Sequence, residues 1–351
     1  MKQNSFVYLR GLKHAAFTVF CVENGQKSYY DPMTKKAVPF SSGQQVKRSI
    51  MERLDDVLNV QPSPTEFYFD VDKKGALKEG EVLSSCDPHY VDQLLGGWMR
   101  AVKNGKEKTV KRRSPLSISA MTPLHPLLAS VPNENISFDR SDKPNVHKVV
   151  VRDASGNVLT DEQISRLLND GDRSLYRKWI PNNKRATGLF VYDVAIDLRR
   201  LFCVSTNQLE PEITSDMVEQ LKEEGWPVIH NAFGECLLMP KEQREQIITA
   251  IADALIDWHI TSNQARTFSL METLAIAISD NANTLAAAIR TKLIDDNEAK
   301  PIVDENAGAK TFITLPCASY VVTETENVDA LDKAKQELID RMMTFDYENQ
   351  L

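Results

Sequence analysis

Apolar side chains at the start of the chain follow first the pattern of a buried strand and then that of an amphipathic helix. Residues 6–22, FVYLRGLKHAAFTVFCV, are rich in aromatic and β-branched side chains and apolar on both faces, which predicts a central strand. A helix is predicted from Ser42, which has capping-box spacing with Gln45. Its apolar stripe recurs every four residues, at Val46, Ile50, Leu54 and Leu58.

Regular patterning returns in the second half of the chain. Residues 115–121, 187–204 and 268–278 are strand candidates. Pro240 can open a helix, whose apolar face is formed by Ile247, Ile251, Leu255 and Trp258. The other predicted elements are a helix at 215–224 ended by Gly225, a helix at 283–294, a strand at 311–322 and a helix at 328–343.

Two long segments carry few sustained periodic patterns and are interpreted as insertions. Residues 61–114 are interrupted by proline and glycine, and residues 131–186 are largely polar. Within the second segment, residues 153–157 predict a hairpin turn. Thr160 and Gln163 predict the capped start of a short helix.

Without the insertions, residues 6–278 have the order strand, helix, strand, strand, helix, strand. This order predicts an α+β fold with a ferredoxin-like, RRM-like core (βαββαβ), two large insertions and a C-terminal α/β extension. The predicted segments are 1–60, the first part of the core; 61–114, the first insertion; 115–130, a core strand; 131–186, the second insertion; 187–280, the rest of the core; and 281–351, the extension. Such a core carries many functions, so the order alone assigns none.

Charge is distributed unevenly along the chain. The 351 residues have a formal net charge of -7, whereas proteins that bind nucleic acid normally neutralise phosphate with lysine and arginine. Seven of those cations lie between Arg100 and Arg113 against the single acid Glu107, and the last thirty residues are acid-rich. A basic groove and an acidic back are therefore compatible with the total.

Composition also bears on compartment and cofactors. No stretch approaches the roughly 20 apolar residues that span a bilayer, and the start lacks the charged and apolar regions of a signal peptide, so we expect a cytoplasmic protein without a membrane partner. Five scattered cysteines indicate reduced thiols rather than a disulfide framework. We expect no cofactor. The chain also has no phosphate-binding GxxxxGK, no GxSxG elbow and no dinucleotide fingerprint, so no common reaction centre is indicated.

The segment SSGQQVKRSI, residues 41–50, is the first candidate for RNA binding. Free backbone N–H groups and the dipole at a helix start attract phosphate, and the hydroxyls of Ser41 and Ser42 add donors. Lys47 and Arg48 would add neutralising charge, with Arg able to hold phosphate in a bidentate manner. The alternative is an ordinary capped helix with a solvated polar face.

This segment resembles the corresponding part of the DevR-like backbone subunits of type I CRISPR Cascade, in the RAMP superfamily. Three further segments share the resemblance: RRSPLSISAM at 112–121, TGLFVYDVAIDL at 187–198 and SNQARTFSL at 262–270. The resemblance implies an RRM-like fold with inserted finger, web and thumb elements. It also implies that copies assemble as a helical filament along a guide RNA.

Residue by residue, the resemblance implies guide-backbone contacts from Ser41, Ser42, Gln44, Lys47 and Arg48, and from Gln264 and Arg266. It implies a base contact from Met121. The expected partners are a CRISPR guide RNA, target DNA through that guide, copies of the same chain and other Cascade subunits. A non-catalytic role is expected.

The basic run at 100–113 has its own interpretation as a finger that touches nucleic acid. Arg112 and Arg113, next to a predicted strand, are the strongest candidates in the run. The alternative is a solvated surface loop.

Two other functions remain open on the sequence. His14 is a candidate general base for cleaving guide precursors, and Asp31 is the only aspartate in the loop where related target-cleaving subunits carry theirs, although Pro32 follows it. A regulatory or scaffold protein that assembles without RNA is the third possibility.

No metal site is expected. Residues 70–81 have some oxygen ligands of a calcium loop, but Lys74 replaces one of them. Cys86 and His89 have metal-pair spacing without a second pair nearby.

Overall fold

A computed structural model of the chain describes residues 4–20, 25–101, 108–139, 149–168, 175, 177–260 and 268–351. Within these residues the chain forms seven α-helices and twenty strands. All the strand pairings between them are antiparallel. The expectation of a mixed α+β protein is therefore confirmed.

The described helices are α1 (Gly43–Leu58), α2 (Val91–Gly96), α3 (Asp161–Leu168), α4 (Ser215–Glu223), α5 (Lys241–Asp257), α6 (Ala282–Ala288) and α7 (Ala330–Met343), with short 3-10 helices at Pro126–Leu128 and Leu315–Ser319. The described strands are β1 (Phe6–Thr18), β2 (Ser28–Asp31), β3 (Lys36–Pro39), β4 (Thr65–Val71), β5 (Leu77–Ser84), β6 (Trp98–Arg100), β7 (Val110–Arg112), β8 (Leu116–Ile118), β9 (Thr122–Pro123), β10 (Ala129–Ser130), β11 (Asn133–Asp139), β12 (Arg177–Lys184), β13 (Ala186–Asp197), β14 (Cys203–Ser205), β15 (Val228–Asn231), β16 (Gly234–Leu238), β17 (Thr273–Ser279), β18 (Ile289–Leu293), β19 (Ala299–Val303) and β20 (Lys310–Ile313). No helix in the described part of the chain is long and apolar enough to cross a membrane.

The main sheet is built around β1. It pairs with β13 on one side and β17 on the other, so that Leu9 lies opposite both Val194 and Ile278. Beyond β13 lie the short strands β8, β9 and β10, and beyond β17 lies β20. The prediction of a central first strand is confirmed.

Both faces of this sheet are covered, which explains why β1, β13 and β17 are apolar on both sides. One face carries α1, α5 and α7, and Leu9, Tyr192 and Ile276 pack there with residues such as Ile50 and Leu255. A second core on the opposite face includes Leu12, Leu274, Leu285, Ile289 and Val303. Continuous apolar runs are expected for strands buried on both faces.

Several local predictions are confirmed. The Ser42 hydroxyl accepts the Gln45 N–H at the start of α1. Thr160 and Gln163 cap each other's backbone N–H groups, and α4 ends before Gly225, whose φ is 87°. The hairpin turn at 153–157 forms, with Arg152 bridged to Val158. The four cysteines in the described part of the chain are buried.

Other boundaries were wrong. The strand predicted at 187–204 ends at Asp197, because a turn follows and β14 joins a separate sheet with β15 and β16. The strand predicted at 268–278 begins only at Thr273, since Phe268 and Leu270 are exposed. The helix predicted at 283–294 stops at Ala288 and continues as β18, and Pro316 opens a 3-10 helix where a strand was predicted.

Residues 61–114, predicted as an insertion, have more structure than their sequence indicated. β4 and β5 form a hairpin, α2 follows, and β6 pairs with β7. In the β4–β5 hairpin the register places five apolar side chains on one face, and all are exposed: Phe67, Phe69, Val71, Leu77 and Val82. The register shifts beside Gly80, which interrupts the two-residue alternation that identifies a strand.

Candidate nucleic-acid interface

The start of α1 is fixed against the sheet by its backbone. Ser41 and Met121 exchange N–H···O hydrogen bonds of 2.9 and 3.1 Å. A Cβ atom on Gly43 would lie 3.2 Å from backbone atoms of residues 118–120, so a side chain there would crowd that segment. The helix start is therefore held at one fixed place beside the segment that links β8 to β9.

Two of the predicted contacts face the interior. Ser41 is completely buried, and its hydroxyl donates to the Phe20 carbonyl at 3.5 Å. Met121 is also completely buried, in the core on the helix side of the sheet. In this conformation neither side chain reaches a ligand at the surface.

Lys47 and Arg48 are neighbours with different environments. The Lys47 ammonium donates to the Gly96 carbonyl at 2.5 Å and to the Ser114 hydroxyl at 3.0 Å, and burial lowers its pKa. Arg48 is exposed and pairs with Glu52 one turn later, at 2.7 Å. Gln44 is also exposed, and Ser42 is half-buried with its hydroxyl accepting from Gln45. Ser42, Gln44 and Arg48 thus form the part of the segment that solvent reaches.

Arg112 and Arg113 are adjacent in sequence, but Arg112 is buried and Arg113 is exposed. The Arg112 side chain is fully buried, donates to the carbonyls of Leu94, Cys203 and Arg200, and pairs with Glu212 at 3.0 Å. Arg113 is exposed and has no partner among the described residues. The structure therefore gives Arg112 a set of contacts inside the protein, where the sequence predicted a contact to RNA.

Two other residues predicted to bind RNA, Gln264 and Arg266, lie outside the described residues, as do 102–107 of the basic run. Lys108 donates to the Gln208 carbonyl at 2.7 Å, and Lys111 lies 4.0 Å from Glu210. The described part of the run is thus partly neutralised by residues 208–212.

Sequence reasoning missed a basic, aromatic hairpin directly before α1. β2 and β3 pair across a turn at 31–36, and the hairpin leads into the start of α1. Its exposed side chains are Lys27, Tyr29, Tyr30, Met33, Lys35 and Lys36. The sequence does contain Asp31-Pro32, which marks a turn, but the strands on either side have only four residues each.

Gln26 fixes the base of this hairpin. Its buried amide accepts the Phe20 N–H at 2.8 Å and donates to the carbonyls of Lys27 and Phe40, at 2.7 and 3.1 Å. One side chain thus links the segment just after β1, the residue just before β2 and the residue before Ser41. A fully bonded buried amide favours one arrangement of these three segments.

Asp31 has a role in the turn. It accepts the Thr34 N–H at 2.7 Å and the Thr34 hydroxyl at 2.6 Å, and these hydrogen bonds lower its pKa. Lys35 follows with a φ of 56°, a left-handed conformation that is uncommon for residues other than glycine and asparagine. The carboxylate proposed for target cleavage therefore stabilises its own loop.

His14, the other candidate for catalysis, lies on β1 in a small cluster of polar groups. Its Nδ1 atom is 2.7 Å from Glu272 Oε1 and 3.0 Å from the Tyr320 hydroxyl, and the Tyr320 ring stacks on the imidazole at 4.4 Å. The same nitrogen makes both contacts, so the carboxylate and the phenol hold the ring in place.

The residues that match metal-site patterns in the sequence bond to groups of the protein itself. Asp72 accepts the N–H groups of Lys74 and Ala76, at 2.8 and 2.9 Å, as the turn of the β4–β5 hairpin. His89 lies between Asp87 at 2.6 Å and Glu224 at 2.5 Å. No group of three or more possible metal ligands occurs in the described part of the chain.

Comparisons with known proteins give weak similarities. No protein-family model matches the chain, and no curated sequence matches it. A chain of a CRISPR RNA-guided surveillance complex in its pre-nicking state aligns with a TM-score of 0.43 and 9% identity, over 78% of this chain and 77% of that one. A chain of another CRISPR RNA-guided surveillance complex aligns with a TM-score of 0.38 and 9% identity, over 96% and 83%. Both TM-scores lie below 0.5, so neither similarity assigns a function to this chain.

Proposed function

We propose that this chain is a non-catalytic, RNA-binding backbone subunit of a CRISPR surveillance complex, which assembles along a guide RNA and presents it to target DNA. The observation that carries the proposal is a group of exposed cations close together in the sequence of an acidic protein. Lys27 just before β2, and Lys35 and Lys36 in the β2–β3 hairpin, precede Gln44 and Arg48 at the start of α1. We call these five residues the hairpin–helix surface.

Local charge favours a polyanion at this surface. Residues 25–42 contain three lysines and one aspartate, whereas the whole chain has a net charge of -7. Asp31, the one acid, is hydrogen-bonded to Thr34. Clustered cations beside a helix start, with its free N–H groups, suit a phosphate backbone.

The strand order supports an RRM-like core. The four strands that follow the predicted pattern lie in the order β8, β13, β1, β17, and α1 and α5 pack on each other over one face. In the ferredoxin-like arrangement the first strand is likewise central, the third and fourth flank it and the second lies beside the third. β20 adds an edge strand to this core.

The predicted site residues divide into two roles under this proposal. Ser42, Gln44, Arg48 and Arg113 contact the guide, whereas Ser41, Lys47 and Arg112 hold the segments that present them. Gln264 and Arg266 remain predictions. Copies of the chain, other Cascade subunits and target DNA are the remaining proposed partners.

RNA cleavage is a second candidate, favoured by the arrangement of His14 with Glu272 and Tyr320. A histidine held by a carboxylate can accept a proton from a ribose hydroxyl. Incubating the purified protein with single-stranded RNA tests this, and a product lost in His14→Ala would favour cleavage over the non-catalytic proposal.

Arg48→Ala tests the proposed surface. If Arg48 neutralises one phosphate, the slope of log K against log salt should fall by about 0.7 for a single strand. Lys241→Ala is the matched control, because Lys241 is also exposed near the start of a core helix and pairs with Glu245 four residues later. Binding is measured by fluorescence anisotropy at several salt concentrations.

Equal slopes for wild type and Arg48→Ala, or equal losses in both variants, would remove Arg48 from the site. A wild-type protein that does not bind single-stranded RNA would contradict the proposed function itself.

A further inference from the structure

The β2–β3 hairpin carries an aromatic ring that the protein leaves uncovered. Tyr30 is 65% exposed, and its hydroxyl has no partner among the described residues. Tyr29 is different, because it packs edge-on against Phe40 with ring centroids 5.9 Å apart, and burial raises its pKa. Met33 at the turn is 88% exposed. The hairpin thus has one packed tyrosine, one free tyrosine and an exposed thioether at its tip.

A second hairpin, β4–β5, is a useful comparison because it has exposed aromatic rings but a net charge of the opposite sign. β4–β5 also exposes aromatic rings, and Phe67 is 66% exposed. Its residues 65–84 contain five acids and three lysines, whereas residues 25–42 contain three lysines and one acid. Only β2–β3 combines an uncovered aromatic ring with a local excess of positive charge among these two hairpins.

The β2–β3 hairpin is also held rigidly for a short two-stranded element, which would be only marginally stable alone. Gln26 bonds its base to Phe20, just after β1, and to Phe40, and Asp31 closes its turn through Thr34. Val38 and Pro39 on its second strand are buried. A preorganised ring loses less entropy on binding than a mobile one.

We infer that Tyr30 stacks on an unpaired base of single-stranded RNA while Lys35, in the turn of the hairpin, neutralises an adjacent phosphate. This inference rests on the proposed function and adds a base-contacting residue to it. Aromatic rings in a positively charged groove are the physical basis of single-strand binding, because every base has a π-face. In a duplex that face is covered by neighbouring base pairs, so the hairpin should prefer the single strand.

Four variants separate stacking from charge. Tyr30→Ala should raise the Kd for a mixed-sequence single-stranded RNA by roughly 5- to 150-fold, the range for losing one base–aromatic stack of about 1–3 kcal/mol. Its salt slope should stay unchanged, because no charge is lost. Tyr30→Phe should retain most of the affinity. Lys35→Ala should weaken binding and lower the slope by about 0.7. Phe67→Ala, with an equally exposed ring on the acidic hairpin, should bind like wild type.

Anisotropy titrations with the RNA and with its annealed duplex give both readouts, and far-UV circular dichroism checks that each variant is folded. A Tyr30→Ala variant that binds like wild type, while the lysine variant loses affinity, would overturn the stacking role and leave the proposed function standing. Equal losses in Tyr30→Ala and Phe67→Ala would also overturn it. Absence of RNA binding by the wild type would instead remove the proposed function and this inference together.

Discussion

Arg112 and Arg113 are adjacent in sequence and should respond in opposite ways to the same substitution. The Arg112 guanidinium is fully buried, donates to three carbonyls and pairs with Glu212, and it lies 5.5 Å from the centre of the Trp98 ring. Arg113 is exposed. We predict that Arg112→Ala reduces the free energy of unfolding and that Arg113→Ala reduces affinity for RNA.

The magnitude follows from what Arg112→Ala leaves behind. Removing one partner of a buried ion pair typically costs about 3–5 kcal/mol. Glu212 keeps hydrogen bonds from Arg200 at 3.1 Å and from the Ser205 N–H at 3.0 Å, so its charge is not left uncompensated. We therefore expect the lower end, about 3 kcal/mol, which is roughly a 150-fold change in the unfolding equilibrium. An exposed substitution such as Arg113→Ala should stay within about 0.5 kcal/mol.

Chemical denaturation followed by circular dichroism measures the first effect, and RNA titration against salt measures the second. Arg113→Ala should lower the salt slope by about 0.7, whereas Arg112→Ala should leave it unchanged under conditions where the variant is folded. Arg112→Lys should be intermediate in stability, since it keeps the charge but loses the planar fork of donors. The reasoning is refuted if Arg112→Ala is as stable as wild type, or if both alanine variants lose the same stability.

Two further predictions concern pH. Burial lowers the pKa of Lys13 from 10.5 to about 8. At ~1.36 kcal/mol per pKa unit, this shift corresponds to about 3 kcal/mol. The charged form of Lys13 therefore opposes folding below pH 8, and this penalty disappears as the pH rises towards 10.5. Lys13→Met should therefore be more stable than wild type at pH 7 by up to about 3 kcal/mol, and a difference in unfolding free energy that does not shrink between pH 8 and 10.5 would contradict this. For His89, burial lowers the pKa, but hydrogen bonds to Glu224 and Asp87 outweigh it and leave the pKa raised. Its contribution is present below the ordinary histidine pKa and is lost as pH rises through the higher folded value, so His89→Gln should cost more stability at pH 6 than at pH 8 in denaturation experiments, and equal costs would exclude the charged clamp.

The elements that could be predicted are those whose signal is long or chemically specific. β1 and α5 have more than twelve residues each, and a capping box requires particular residue types, so the start of α1 was found correctly. The β2–β3 hairpin was missed because four-residue strands give only two positions per face. Its importance as a candidate site depends on exposure and on Gln26, neither of which a pattern of apolar residues contains.

Burial of polar residues explains why the candidate site was predicted only in part. Lysine and arginine are rarely buried unless paired, so a cluster of them predicts a surface. Arg112 is nevertheless buried, because three carbonyls and Glu212 satisfy its donors. The Lys47 ammonium is likewise bonded inside the protein, to Gly96 and Ser114. Those partners are distant in sequence, and only the packing of residues 91–114 against the core brings them together.

These burials limit the ways in which an acidic protein could achieve the proposed RNA binding. Arg112 and Lys47 are committed inside the protein, Arg48 shares its charge with Glu52, and Lys111 lies near Glu210. Fewer cations per copy are then left for phosphate than the sequence suggested, and each neutralised phosphate contributes to salt-dependent affinity. Tight binding would have to come from contacts that carry no net charge, such as backbone N–H groups at α1 and a stacked base on Tyr30, and from many copies along one strand. Linked sites multiply modest affinities, so a weakly charged surface is consistent with tight retention of RNA only if the chain assembles.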